Sequence, residues 1–87
     1  MVSEKDNEHM KYEECIKEYT ELLNDLNLIK EGEDLSGSKF VIRCNNLINK
    51  FKTIKYLDIL EEQARSMAIN DLLDFKSEVK NIKPDDF

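Results

Sequence analysis

"FKTIKYLDIL", residues 51–60, is the stretch on which the architecture turns. Upstream of it Phe40, Cys44, Leu47, Phe51 and Ile54 follow at steps of four and three, the spacing of one helical face. Ile54, Leu57 and Leu60 then come at two successive steps of three, each about 60° short of a full turn, so the register slips. Thr53, a side-chain N-cap type, stands at the slip. This predicts a break near 52–54 and an all-α fold, a small three-helix bundle with helices over roughly 8–29, 38–52 and 54–81 and flexible ends. An unbroken second helix would instead give a long two-helix antiparallel hairpin.

Outward from that stretch the pattern stays helical. Tyr12, Cys15, Tyr19, Leu22, Leu26 and Ile29 recur at three and four, and Ile16 and Leu23 widen the stripe into one amphipathic helix. "KEGEDLSGSK", residues 30–39, holds both glycines and two serines and reads as a loop, with Ser36 or Ser38 available as the next N-cap. Leu57, Leu60, Ala64, Met67, Ala68, Leu72, Phe75, Val79 and Ile82 supply the third stripe, and Pro84 with "DDF" is expected beyond any helix.

At 87 residues the chain is read as a single helical domain, near the lower end of sizes that fold alone and with room for one core. Charged residues make up 37% and hydrophobic ones 40%, a profile that suits a helix-rich domain and argues against a disordered chain. Cys15 and Cys44 both fall at apolar helical positions, which predicts buried free thiols in a reducing compartment. The charged N-terminus lacks the apolar core of a signal peptide, and no run approaches the roughly 20 apolar residues of a membrane span. The expected location is cytoplasmic, or nuclear in a eukaryote, with no membrane partner.

Charge is distributed in blocks. Residues 1–34 carry 11 acidic and 4 basic side chains, residues 35–57 carry 5 basic and no acidic ones, and residues 58–87 carry 8 acidic and 4 basic. Lys39, Arg43 and Lys50 fall within about 40° of one another on the second helix. With acidic helices on either side, the expected role of this flank is to pair within the bundle, and failing that to meet an acidic protein partner. The net charge of −6 and the absence of interleaved stacking aromatics argue against nucleic acid.

No catalytic, metal or cofactor motif emerges. His9 is the one histidine, so neither a Cys-His nucleophile pair nor a two-histidine zinc site can be assembled. "EGEDLSG" lacks the glycine placement and closing glutamate of a calcium loop. Glu61 and Glu62 are adjacent on a polar face rather than convergent. The chain is therefore expected not to be an enzyme and to need no cofactor.

Leu28, Leu35, Ser38, Phe40, Cys44, Asn45 and Leu47 have a spacing that resembles part of the helical N-terminal domain of transcription elongation factors, a protein-docking bundle. The resemblance covers about a quarter of the chain. Val41 stands where that pattern has a small glycine, the late tryptophan is missing, and no functional residue is carried over.

The function expected from these features is a small acidic protein–protein interaction module, an adaptor, complex subunit or regulator, docking another protein through an apolar helix face. The alternative is an acidic inhibitor, such as an immunity protein, antitoxin or phage-encoded antagonist, whose carboxylate-rich residues 4–34 block a basic site on another protein. Ile69 and Leu73, four apart on the third helix, form a second apolar strip beside Lys76 and Lys80 that a helix wedged between two others would bury as core; the functional alternative makes this strip, with Ile59 one row away, a partner groove or self-association seam, so the candidate partner-binding residues are Ile59, Ile69 and Leu73 and the basic Lys39, Arg43 and Lys50.

Overall fold

The computed structural model describes residues 4–55 and 57–87, with side chains from Glu8 onward. Among the described residues there are three α-helices, α1 (Glu4–Lys30), α2 (Gly37–Thr53) and α3 (Ile59–Ile82), followed by a 3-10 turn at Pro84–Asp86. The three helices form a small bundle in which α2 runs antiparallel to both neighbours. His9 meets Glu61 and Lys30 meets Glu78 at the two ends of the α1–α3 pair, whereas Lys50 meets Glu18 and Arg43 meets Asp25.

α1 starts four residues before the expected position, at Glu4. The flexibility expected of residues 1–3 lies outside the described residues. At its other end, Gly32 adopts φ 96°, and Glu33 N–H donates to Leu28 O at 3.0 Å while Gly32 N–H donates to Ile29 O at 3.1 Å. This pair of bonds is a Schellman closure. It satisfies carbonyls that the end of the helix would otherwise leave open, and it needs a residue tolerant of positive φ.

Of the two serines offered as caps, Ser36 takes the role, its Oγ accepting from Lys39 N–H at 3.3 Å. Gly37, the first residue of α2, donates its N–H to Asp86 Oδ2 at 2.8 Å, and a Cβ there would lie 3.1 Å from both that oxygen and Val79 Cγ1. Glycine thus permits the close approach of the C-terminal turn. The expectation that Pro84 and "DDF" lie beyond any helix is corrected accordingly: they form a 3-10 turn that caps α2, and Lys83 Nζ secures it by donating to Leu35 O at 2.6 Å.

The break after α2 is real, but Thr53 does not cap α3. It is the last residue of α2, and its Oγ1 donates back to Lys50 O at 2.7 Å. Asp58 caps instead, accepting from Glu61 N–H at 2.8 Å while Glu61 Oε1 accepts from Asp58 N–H at 3.3 Å. Two reciprocal bonds outcompete the single one a threonine offers. α3 accordingly begins at Ile59, and Arg65 reaches back to Ile54 O at 2.8 Å, tying the link to the helix.

The core is built from Cys15, Leu22, Leu26 and Ile29 of α1, Phe40, Cys44, Leu47, Ile48 and Phe51 of α2, Ile54 of the link, and Ala68, Leu72, Phe75 and Val79 of α3. Tyr19 stacks on Phe75, with centroids 5.8 Å apart, and donates its hydroxyl to Asp71 at 2.7 Å. One part of the third stripe is corrected: Leu60 and Met67, expected inside, are 75% and 66% exposed, and Ile82 is also exposed. Leu60 and Met67 lie about 100–120° around the helix from the Ala68–Leu72–Val79 line, on a side that neither neighbour covers, and Ile82 lies about 60° from it in the last turn.

Burial, then the Asp71 bond and charge, push the Tyr19 hydroxyl from 10.0 up to about 12. A raised folded-state value means that the folded form holds the proton longer. The contribution is complete below pH 10 and is lost as pH rises from there towards 12. Alkaline titration monitored by circular dichroism should therefore show wild type losing stability faster across that window than Tyr19→Phe, and parallel curves would refute the assignment.

Candidate partner-binding faces

The basic flank of α2 is engaged at two of its three positions. Arg43 Nη1 donates to Asp25 Oδ2 at 2.6 Å with Glu21 at 3.9 Å, and Lys50 Nζ donates to Glu18 at 3.2 Å. Lys39 is exposed and has no ion pair within 4.0 Å among the described residues. The register explains the pairing. Glu18, Glu21 and Asp25 recur at three and four along α1, and Arg43 and Lys50 lie seven apart on the antiparallel helix, two turns against two turns. Arg43→Glu and Lys50→Glu together should lower stability by about 1 kcal/mol, whereas Lys39→Glu should leave it unchanged. Chemical denaturation of the two variants measures the difference.

A second carboxylate is committed locally. Glu8 accepts from Lys55 N–H at 3.1 Å and from Lys11 Nζ at 3.3 Å, and the Lys55 bond foremost holds its carboxyl below the usual range against the opposing effect of desolvation. The stabilisation is present above the ordinary carboxylate value and is lost as pH falls through the depressed one.

Around α3 the structure separates the three apolar candidates. Ile69 is partly buried and packs against the core cluster. Ile59 is 74% exposed and Leu73 47% exposed. At heptad spacing with Ser66 between them, they share one outward strip about 21 Å long. Met67 and, farther round, Leu60 lie about 80–100° around the helix from Ile59. Both belong to the stripe expected in the core, although 100° per residue sets them well off the Ala68–Leu72–Val79 line. Ile59, Glu62, Gln63, Ser66 and Met67 line an open depression of about 520 Å³, with the small Ser66 leaving room between the larger side chains.

A cavity of about 260 Å³ lies between α1 and α2, lined by Lys11, Glu14, Cys15, Glu18, Lys50 and Thr53. Burial raises the Cys15 thiol above its ordinary value and pushes Cys44 from 9.0 up to about 11, so both stay protonated near neutrality. Neither is paired in a disulfide. Titration with a thiol reagent should count two sulfhydryls after denaturation and react slowly before it. Among the described residues no cluster of three or more His, Cys, Asp or Glu side chains is arranged to hold a metal ion, and no helix is long and apolar enough to cross a membrane.

None of the family models, curated proteins or solved structures compared with the chain matches it, and the partial spacing resemblance to the elongation-factor domain has no counterpart among them.

Proposed function

We propose that the protein is a helical protein–protein interaction module that docks a partner against the outward face of α3. The observation that carries this reading is the exposure of Ile59, Leu60 and Met67, three large aliphatic side chains within nine residues of a chain with few to spare. Single exposed aliphatics are ordinary, but a contiguous set around a depression removes its own solvation cost only when another surface covers it. Methionine adds a flexible, polarizable contact that adapts to a partner's shape.

The acidic-inhibitor alternative relies on the carboxylates of residues 4–34, of which Glu18, Glu21 and Asp25 are turned towards Lys50 and Arg43 within the bundle. This leaves α1 a weaker electrostatic surface than its composition suggests, so the α3 face is the preferred site.

Affinity capture with the immobilised chain, followed by mass spectrometry, tests the reading. A partner retained by wild type should be lost from Leu60→Asp/Met67→Asp while the melting temperature of that double variant stays within a few degrees. Equal capture by both chains would place docking elsewhere.

A further inference from the structure

We propose that residues 8–14 of α1 form a lid over the α2–α3 link, latched by the Glu8 carboxylate and released when acid protonates it. The device is separate from the docking role proposed above and does not depend on it. Its starting point is how differently the two parts of α1 are held. From Cys15 onward the helix is anchored by apolar burial at Cys15, Leu22, Leu26 and Ile29. Over residues 8–14 the one side chain packed against the core is Tyr12, which is only partly buried, and His9, Met10, Lys11, Glu13 and Glu14 are exposed. A segment with so little apolar contact opens at far lower cost than the core.

Polar bonds stand in for the missing apolar contacts. Glu8 is 7% exposed, the one charged side chain enclosed among the described residues. Its Oε2 accepts from Lys55 N–H at 3.1 Å, and that N–H has no other partner among the described residues. Beside it His9 meets Glu61 of α3 at 3.3 Å and Glu13 of its own helix at 3.1 Å. Residues 8–14 therefore hold the link through Glu8 and α3 through His9.

Acid acts on these two contacts in opposite directions. A hydrogen bond to a neutral carboxyl is roughly half as strong as one to a carboxylate, so protonation loosens the hold of Glu8 on the link. The Lys55 bond foremost keeps the carboxyl below its ordinary 4.5, and the charges that face it, Lys11 on its own helix and Lys55 on the link, act in the same sense against desolvation. On α3, Glu61 is engaged with His9 and with the Asp58 N–H. The contribution of Glu8 is thus present above 4.5 and lost as pH falls through the depressed value. An imidazolium at His9 strengthens its own contacts with Glu61 and Glu13, so release in acid runs through the carboxylate.

Opening has a defined consequence. Lys11 and Glu14 line one side of the cavity of about 260 Å³ between α1 and α2, with Lys50 and Thr53 across from them and Cys15 in its wall. Lifting residues 8–14 removes the first side and admits solvent to Cys15, which is 3% exposed in the closed bundle. Cys44, fully enclosed on α2, stays covered.

The test follows the full chain from neutral pH to below 4.5 by amide hydrogen exchange and by thiol labelling with dithiodipyridine, which also reacts in acid, the labelled cysteine being located by mass spectrometry. At neutral pH Glu8→Ala should speed exchange at Lys55 and labelling of Cys15 by about tenfold, while Cys44 and the Leu26 and Leu47 amides keep their wild-type rates. Glu8→Gln retains an uncharged acceptor and should show a smaller increase. Acid should bring wild type to the rates of Glu8→Gln, with that variant itself nearly level, each rate being referred to an unstructured control at the same pH.

Wild-type rates in Glu8→Ala would overturn the latch. Acceleration of Cys15 and Cys44 together, or an unfolded Glu8→Ala, would show that the bundle loosens as a whole and would overturn the lid. An acid response as steep in Glu8→Gln as in wild type would move the trigger to another carboxylate and overturn the role given to Glu8.

Discussion

Phe51→Ala is expected to lower stability by about 3–5 kcal/mol, the largest effect of any single truncation in this chain. Phe51 is 0% exposed and ranks first by volume among the fully enclosed side chains. Its ring fills the bundle next to the point where α2 ends, and its carbonyl accepts from Ile54 N–H at 3.3 Å. A cavity opened there cannot collapse without moving the link to α3. Domains of 87 residues have on the order of 4–13 kcal/mol to lose, so the variant should stand near its unfolding threshold at physiological temperature. Urea denaturation with matched m-values measures the loss, and a change under about 1 kcal/mol would show that the ring is not enclosed.

Leu72→Ala and Leu73→Ala form the second test, because adjacent leucines of one helix are sent to different environments. Leu72 is 0% exposed in the core and should cost about 2–5 kcal/mol when truncated. Leu73 lies on the outward strip, and its truncation should remain within about 0.5 kcal/mol of wild type. The ratio of the two effects reads the rotation of α3 directly. Equal losses would mean that α3 is rotated relative to its neighbours, which would also move Ile59 and Met67 off the outer face and remove the basis of the docking proposal.

The same helix shows where the sequence was legible and where it was not. The core line Ala68, Leu72, Phe75 and Val79 follows from spacing alone, as does the core of α1 at Cys15, Leu22, Leu26 and Ile29. Arg43 and Lys50 could be expected to pair with an acidic neighbour from the charge blocks, although their partners could not be named. Of the Ile69–Leu73 strip, Ile69 packs against the core as a widened stripe requires while Leu73 stays half exposed, and Leu60 and Met67 of the expected core stripe are exposed. A period of 3.6 residues measures angle around a helix, but it does not say which flank of a wide apolar stripe a neighbour will cover.

The capping choice at the break was a similar competition. Thr53 and Asp58 both have side chains that can cap, and the reciprocal Glu61 decides between them. That signal was present as "DILE", residues 58–61, and its weight comes from two bonds closing at once. The effect is to start α3 at Ile59, six positions beyond the last residue of α2, with Ile59 and Leu60 exposed in its first turn.

By itself the sequence determined the all-helical class, the three amphipathic segments, the loop at the glycines and the inward identity of most core residues, because these depend on local spacing and backbone chemistry. Only the tertiary structure decided which carboxylate each α2 cation meets, that Asp86 returns to cap Gly37, and which side of α3 is left open. These depend on how three helices lie against one another. That arrangement is chosen by the fit of whole side-chain layers, a property no single helix carries in its own spacing.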